Sequence, residues 1–206
     1  HNPPEYNGFK ICKGTLPMAG EELQELRETM ERGDFIEGTG KLIDAQGFQR
    51  QYIETVIGNV GKPGRKIRVA IDCGNAVPGP LAITVLESIG VDVVPVHCTW
   101  DNKFPNHPPD PTRKENMLDL SSTVLDERCE FGIGMDGDGD RIGVVDENGE
   151  FIHPDRLMAL FVQDLLADKE SMGNNTRKVF YDVKCSMALE EYIESMGGVP
   201  VMVRTG

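Results

Sequence analysis

The stretch KIRVAIDCGNAVPGPLAITVLESIGVDVVPV, residues 66–96, decides the fold class of this chain. Residues 66–73 form a short apolar run rich in branched side chains, which predicts a buried strand. Residues 81–89 have helical character and are followed by Gly90, and residues 91–96 predict a second strand. A strand, a helix and a strand at this spacing form an α/β unit with parallel strands.

The same alternation continues along the rest of the chain. Helices are predicted over residues 20–32, 52–57 (ending at Gly58), 114–128, 156–168 (capped by Asp155) and 187–196, and strands over residues 130–135, 142–146, 178–183 and 199–203. The sequence therefore predicts repeated α/β units with mixed, mainly parallel sheets.

Composition and charge exclude several classes of function. The 206 residues carry 21 basic and 34 acidic side chains, a net charge of −13, which is opposite to the clustered positive charge that nucleic acids and anionic membranes require. No run approaches the roughly 18 apolar residues of a transmembrane helix. The five cysteines form no CxxC pair, which favours reduced thiols in a cytoplasmic protein over a disulfide framework or a zinc site.

The clearest chemical motif is the hexapeptide DGDGDR, formed by Asp136-Gly137-Asp138-Gly139-Asp140-Arg141 after an apolar strand. Glycines allow the sharp turns that bring three alternate carboxylates together. Converging carboxylates repel one another unless a cation lies between them, and all-oxygen donors suit Mg²⁺ or Ca²⁺. Such loops at the carboxyl ends of strands are where α/β folds place their sites.

Three interpretations of this loop are open. It is an exposed acidic turn with no ligand, or it is a calcium loop of the EF-hand type. Asp136, Asp138, Asp140 and Glu147 fall at EF-hand positions 1, 3, 5 and 12, but Arg141 replaces the turn glycine at position 6 and the flanks predict strands. The third interpretation is a phosphoryl-transfer site, in which a metal ion and the Arg141 guanidinium share a phosphate. The arginine beside the carboxylates favours this third interpretation.

The first ten residues, HNPPEYNGFK, contain groups suited to proton transfer. The imidazole of His1 titrates near neutral pH. The amine of Lys10 can act as a general base when a neighbouring cation lowers its pKa. Alone, both residues are typical of a solvated surface, and only together with the aspartate loop do they indicate a site.

In this order, these segments resemble the α-D-phosphohexomutase superfamily, most closely its phosphomannomutase/phosphoglucomutase branch. Residues 1–10 are similar to the segment that follows the family's phosphoserine, and residues 136–141 are similar to its metal loop. Residues 72–75 and 104–111 resemble signatures of the second domain, and residues 181–186 and 204–206 resemble segments of the third domain. The resemblance implies repeated three-layer α/β domains of the phosphohexomutase type.

The resemblance also implies a reaction and roles for individual residues. A phosphoserine would exchange its phosphoryl group with a hexose 1- or 6-phosphate (mannose or glucose) through a hexose 1,6-bisphosphate. Mg²⁺ would be bound by three metal ligands, Asp136, Asp138 and Asp140. Lys10 would be the general base or acid with help from His1, Arg141 would bind phosphate or support the loop, and Lys184 would contact the phosphosugar. The family implies a cytoplasmic monomer or weak homodimer with a phosphosugar ligand, and no nucleic-acid or membrane partner.

The expected domain organisation follows from the same resemblance. Residues 1–49 correspond to the C-terminal part of domain 1, residues 50–150 to domain 2 with the metal loop, and residues 151–206 to the N-terminal part of domain 3. The phosphoserine, the rest of domain 3 and domain 4 are then expected outside this sequence. The chain alone is accordingly expected to be inactive.

Two rival functions remain open at this point. A phosphatase of the haloacid-dehalogenase type would use Asp136 as a nucleophile after its apolar strand, and would release phosphate. A non-catalytic module would bind Ca²⁺ ahead of Mg²⁺ and would need no phosphosugar. His97, His107 and His153 have no carboxylate or cysteine at metal-ligand spacing in the sequence, and are interpreted as loop or strand-end residues.

Overall fold

The computed structural model describes residue 6 and residues 8–45, 47–167 and 177–204, and it contains two compact units, His1–Tyr52 and Ile53–Gly206. In the first unit, strand β1 (Cys12–Lys13) pairs antiparallel with β2 (Leu16–Pro17), and helix α1 (Glu21–Arg32) follows. Acidic side chains in its first turn and a basic one in its last turn complement the helix dipole. Helix α2 (Phe48–Val60) begins in the first unit and ends in the second.

The second unit contains the α/β architecture. Its elements are β3 (Arg68–Asp72), α3 (Gly79–Ser88), β4 (Asp92–Val96), a 3₁₀ turn (Lys114–Met117), α4 (Leu118–Asp126), β5 (Phe131–Met135), β6 (Ile142–Val145), β7 (Phe151–Ile152), α5 (Pro154–Ala167), β8 (Lys178–Asp182), α6 (Met187–Ser195) and β9 (Val199–Val203). The larger sheet has the strand order β4-β3-β5-β6-β7. In it β3 is parallel to both β4 and β5, whereas β6 is antiparallel to its neighbours.

The two faces of the larger sheet are covered by different helices, as the alternation of side chains along β3 requires. Ala70 points to one face and packs with Leu120 and Val124 of α4. The next residue, Ile71, points to the other face and packs with Ile83 of α3. The sheet is therefore the middle of three layers, as the sequence predicts.

The smaller sheet consists of β8 and β9 in parallel, with helices α5 and α6 packed on it. Its core is formed by five buried side chains, Val162, Leu166, Tyr181, Leu189 and Ile193. Each fully buried aliphatic side chain of this kind contributes about 1.5–3 kcal/mol to folding. The second unit thus contains two α/β sheets with their helices, and the predicted fold class is confirmed.

The sheets are mixed in the part of the chain that the structure describes, as predicted. Three strand pairings are parallel and three are antiparallel. The antiparallel pairs arise where the connection is a short hairpin, because only a longer crossover can return a strand in parallel. Within the same described residues, no helix combines the length and apolar character needed to cross a bilayer.

The bounds of α1, α3 and α6 agree with the predicted ones to within two residues at each end, and three other predicted helices differ in their extent, type or cap. The α2 helix continues through Gly58 to Val60, because Ile57 packs against the core of the second unit. The predicted helix over residues 114–128 is a 3₁₀ turn followed by α4. Asp155 lies inside the first turn of α5 and is not its cap, since the helix already begins at Pro154.

Candidate metal centre

The aspartate loop lies at the carboxyl edge of the larger sheet. Strands β3 and β5 are parallel neighbours, with Asp72 in register with Gly134, so both strands end at the same edge. Asp136 is the first residue after β5, and the loop then returns the chain into the antiparallel strand β6. This edge is where open α/β sheets place their ligands.

Backbone hydrogen bonds hold the loop in a tight turn. The Gly139 N–H donates to the Asp136 carbonyl oxygen at 3.2 Å, and the Arg141 N–H donates to Asp136 Oδ1 at 3.0 Å. Gly139 has a φ of 76°, in the left-handed region that glycine adopts without strain. A Cβ atom at this position would also lie 3.0 Å from the Pro78 ring, so glycine serves both the turn and the packing.

The turn brings the three predicted ligands together. One carboxylate oxygen from each of Asp136, Asp138 and Asp140 lies within 4.8 Å of the others. Asp136 is 1% exposed, whereas Asp138 and Asp140 face solvent. The buried carboxylate anchors the loop, and the two exposed ones remain accessible to an ion.

The donor set fits a hard divalent cation. Mg²⁺ binds oxygen ligands at about 2.0–2.1 Å and usually keeps several water molecules, so it uses few protein carboxylates. The loop offers carboxylate oxygens only, without the imidazole or thiolate ligands that select zinc or copper. Because two of the three side chains are exposed, small rotations suffice to bring their oxygens into one coordination sphere.

Arg141 balances part of the negative charge on the loop. Its Nε atom lies 3.8 Å from Asp136 Oδ2 and 3.7 Å from Asp140 Oδ1, and its side chain is 63% exposed. The guanidinium therefore faces solvent beside the carboxylates, where a phosphate could bind both it and a metal ion. Near it, the Thr112 hydroxyl holds the pKa of Asp110 below its usual value, with Arg113 and Arg141 adding to the effect.

Lys184, predicted to contact the phosphosugar, lies after β8 in the smaller α/β unit. Its Nζ is 3.3 Å from Asp182 Oδ2, and its backbone N–H donates to Asp182 Oδ1 at 2.8 Å. The side chain is 72% exposed, so it is available to an anionic ligand after a small displacement from Asp182. The structure places it on a different sheet from the aspartate loop.

The two amino-terminal candidates belong to the first unit. Lys10 is exposed in the segment before β1. His1 lies outside the described residues, so its predicted role stays a prediction.

Two histidine–aspartate pairs were not predicted from the sequence. His107 Nε2 lies 3.0 Å from Asp72 Oδ2, and His97 Nε2 lies 2.8 Å from Asp119 Oδ2. The hydrogen bond with Asp72 raises the pKa of the His107 ring. Both histidines lie in loop or strand-end positions, as expected, but each also has a carboxylate partner that is distant in the sequence. The signal was the position of Asp72 and His97 at the ends of adjacent parallel strands, whose carboxyl ends converge.

Two models of one protein family match the parts of the chain that contain most of the larger sheet and the whole smaller sheet. The family model described as phosphoglucomutase/phosphomannomutase, alpha/beta/alpha domain II, matches residues 50–149. The model for domain III of the same family matches residues 153–206. Together the two matches cover about three quarters of the chain and include the aspartate loop and Lys184.

Individual relatives agree with these matches. A phosphomannomutase/phosphoglucomutase from Pseudomonas aeruginosa is 40% identical over 206 residues, and a phosphoglucomutase from Neisseria gonorrhoeae is 39% identical over 207 residues. All of this chain is covered in both comparisons, but only 43% and 44% of those proteins. The crystal structure of a phosphoglucomutase/phosphomannomutase family protein from Burkholderia thailandensis superimposes with a TM-score of 0.86 at 35% identity, covering all of this chain and 43% of that one. The chain thus spans less than half the length of these relatives.

Proposed function

Since this chain belongs to the phosphoglucomutase/phosphomannomutase family, we propose that it provides the metal-binding part of a phosphohexomutase, an isomerase that interconverts hexose 1-phosphates and 6-phosphates. The preferred sugars are mannose and glucose phosphates. The observation that carries the proposal is the cluster of Asp136, Asp138 and Asp140, whose carboxylate oxygens lie within 4.8 Å of one another beside Arg141.

In the proposed site, the three aspartates hold Mg²⁺, which would neutralise charge on the phosphoryl group during transfer. Asp136 is buried and fixed by the Arg141 N–H, so it orients the loop, while Asp138 and Asp140 complete the ligand set from solvent. The Arg141 guanidinium donates hydrogen bonds to a phosphate oxygen beside the ion. The ion and the Arg141 guanidinium would together cancel the three negative charges of the loop, so an anionic substrate would meet a neutral site in a protein of net charge −13.

The remaining roles concern proton transfer and sugar binding. Lys10 takes the proton from the attacking sugar hydroxyl and returns it in the reverse direction, with His1 assisting. Lys184 binds the phosphosugar through its ammonium group. A phosphoserine of the intact protein, outside the residues of this chain, carries the phosphoryl group, and a hexose 1,6-bisphosphate is the intermediate and activator. We also propose a cytoplasmic location, since all five cysteines are free thiols. The family resemblance is the basis for proposing a monomer or weak homodimer.

The function is tested in the intact protein with mannose 1-phosphate or glucose 1-phosphate, Mg²⁺ and a trace of the hexose 1,6-bisphosphate. The expected product is the 6-phosphate, without accumulation of inorganic phosphate. Asp138→Asn is expected to lower turnover at least about 100-fold, since it removes a metal ligand. Glu147→Gln makes the same change of charge at an exposed residue in the next turn, and is expected to leave turnover unchanged.

Two results would contradict the proposal and favour a rival function. Release of inorganic phosphate in place of the 6-phosphate would indicate a phosphatase with Asp136 as nucleophile. Calorimetric binding of Ca²⁺ well ahead of Mg²⁺, with no dependence on phosphosugar, would indicate a calcium-binding module. The flanking elements argue against a calcium-binding module of the EF-hand type, since the loop joins strands β5 and β6 where an EF-hand would have two helices.

A further inference from the structure

A second group of metal-binding side chains lies at the same sheet edge as the aspartate loop. Asp72, His97 and His107 each offer one ligand atom, and these atoms lie within 4.8 Å of one another. Asp72 is the last residue of β3, and His97 follows β4. His107 lies in the proline-rich segment, residues 101–112, which precedes the 3₁₀ turn and α4. The proposed phosphoryl transfer assigns no role to any of the three residues.

Asp72 is a buried carboxylate whose charge has to be compensated by its neighbours. It is 2% exposed, and its Oδ1 accepts the Gly74 N–H at 2.8 Å. Its Oδ2 is directed at His107 Nε2, 3.0 Å away. A buried carboxylate is costly unless a cation or strong hydrogen-bond donors compensate its charge.

The ring of His107 has an oxygen acceptor at each nitrogen. Nδ1 lies 2.9 Å from the Pro108 carbonyl oxygen and Nε2 lies 3.0 Å from Asp72 Oδ2, so both nitrogens face atoms that only accept hydrogen bonds. In the tautomer that suits a metal ligand at Nε2, Nδ1 carries the proton and donates to the carbonyl oxygen. Nε2 of that tautomer directs a lone pair at the carboxylate of Asp72, so either the ring carries a second proton or a metal ion lies between these two ligands. An Nδ1–H bond to a backbone carbonyl is also the usual way in which a metal-binding histidine is oriented.

His97 is held in place from two directions. Its Nε2 lies 2.8 Å from Asp119 Oδ2, and its carbonyl oxygen accepts the Asn75 N–H at 2.6 Å. Its ring lies edge-on to that of His107, with the centroids 5.5 Å apart. A carboxylate on one ring nitrogen fixes the tautomer and increases the basicity of the other, as in many zinc sites.

We propose that Asp72, His97 and His107 bind a transition-metal ion of the zinc type. Two imidazoles and one carboxylate suit Zn²⁺, Co²⁺ or Ni²⁺, whereas the all-oxygen loop suits Mg²⁺. Tetrahedral Zn²⁺ with bonds of about 2.0–2.2 Å places its ligand atoms about 3.3 Å apart, so a side-chain movement of about 1.5 Å closes the observed cluster. Three protein ligands leave a fourth position for water.

The ion would connect the proline-rich segment to the ends of the paired strands β3 and β4. Asp72 ends β3, His97 follows β4 and His107 belongs to the proline-rich segment, so binding of the ion would fix that segment to the sheet. The chain at Gly74, just after β3, already lies close to the proline-rich segment, since a Cβ atom there would lie 3.0 Å from the Pro109 Cα and 3.2 Å from the His107 ring. The second site is therefore expected to increase resistance to unfolding independently of Mg²⁺.

The test is a titration of the metal-free intact protein with Co²⁺, in excess Mg²⁺ to saturate the aspartate loop. The readout is the visible absorption of bound Co²⁺, which does not depend on enzymatic activity, and Zn²⁺ is expected to displace the signal. His97→Ala and His107→Ala are each expected to weaken binding at least 100-fold. Asp119→Asn is expected to weaken it about 10–100-fold, because it orients His97 without being a ligand.

Two control variants separate this site from others. His153→Ala removes an exposed histidine at the start of α5, and Asp138→Asn weakens the aspartate loop; both are expected to leave the Co²⁺ titration unchanged. The proposal is overturned if no Co²⁺ binds at micromolar concentration, if binding survives both histidine substitutions, or if Asp138→Asn abolishes it. Should His107→Ala fail to fold, as shown by circular dichroism, His97→Gln and Asp119→Asn provide the same decision.

Discussion

Replacement of Asp138 by asparagine has opposite effects on stability with and without a divalent cation. The substitution removes one negative charge from the aspartate loop and keeps the size and shape of the side chain. Without a cation, it relieves repulsion from Asp136 and Asp140, so the variant is expected to be more stable than the wild type. With Mg²⁺, the wild type gains more binding energy, so the order is expected to reverse.

The size of the first effect follows from the 4.8 Å limit on the distances between carboxylate oxygens. Two unit charges at that distance repel by about 0.9 kcal/mol in water and about 3.5 kcal/mol at an effective dielectric constant of 20. Because Asp138 is exposed, the value in water applies. Its two repulsive pairs then sum to about 1.7 kcal/mol, and a change of 1 kcal/mol shifts the Tm of a chain of this size by about 2–4 °C.

The size of the second effect follows from binding linkage. At a Mg²⁺ concentration 100 times the Kd, a bound ligand stabilises the folded state by about 2.7 kcal/mol. A variant with 100-fold weaker affinity gains only about 0.4 kcal/mol at the same concentration. The difference exceeds the relief of repulsion, so the melting curves of the two proteins should exchange their order.

The assay is thermal unfolding of both proteins at low ionic strength, first with a chelator and then with Mg²⁺. Low salt is needed because screening at 0.15 M acts over about 8 Å and weakens exposed pairs. Glu147→Gln is the matched control, and its Tm should change little and in the same direction under both conditions. If Asp138→Asn melts below the wild type in the chelator and both respond equally to Mg²⁺, the three carboxylates do not form one site.

Further tests concern the scaffold. Gly79→Ala is expected to destabilise the fold by about 1–3 kcal/mol in urea unfolding, because a Cβ atom would collide with the Cys98 carbonyl oxygen. Gly58→Ala has open space around it in α2 and is expected to stabilise the fold by about 0.5–1 kcal/mol. Changes of the same sign in the two variants would contradict this reasoning. Hydrogen bonds from Ser186 lower the pKa of Asp155, so its contribution to stability is present above about pH 4 and is lost as the pH falls through the lowered value. The stability difference between wild type and Asp155→Asn should therefore shrink in acid, and a difference that grows there would refute the assignment.

Local patterns were sufficient to predict the order of the main elements and the position of the aspartate loop. A buried strand such as β5 is an apolar run, and a loop such as residues 136–141 has acidic residues alternating with glycine, so each is recognisable without its neighbours. The convergence of the carboxylates also followed, because the turn is closed by its own backbone through Gly139 and Arg141.

Element bounds and short strands required tertiary information. A glycine inside a helix costs about 1 kcal/mol, which makes Gly58 a reasonable helix end in isolation. The core contact of Ile57 outweighs that cost, and the helix ends instead before Gly61, which has a φ of 74°. The two-residue strand β7 is defined by its pairing with β6, and no pattern of that length distinguishes it from a turn.

The histidine cluster shows the limit of spacing arguments most clearly. His107 and Asp72 are 35 positions apart, and only the parallel pairing of β3 with β4 and the course of the proline-rich segment bring them within 3.0 Å. Ligand spacing along a chain identifies sites within one loop or helix. It does not identify sites built from the ends of adjacent strands.

The negative charges of Asp72 and Asp136 at this sheet edge have different neighbouring groups, so the two carboxylates suit different cations. Asp72 and Asp136 are both buried, and they follow neighbouring parallel strands. Asp136 is accompanied by two further carboxylates, so added positive charge must come from a hard cation or from Arg141. Asp72 is accompanied by imidazole nitrogen, which accepts either a proton or a softer metal. If both proposed sites bind metal, adjacent strands of one sheet would select two different cations, because each receives its remaining ligands from a different loop.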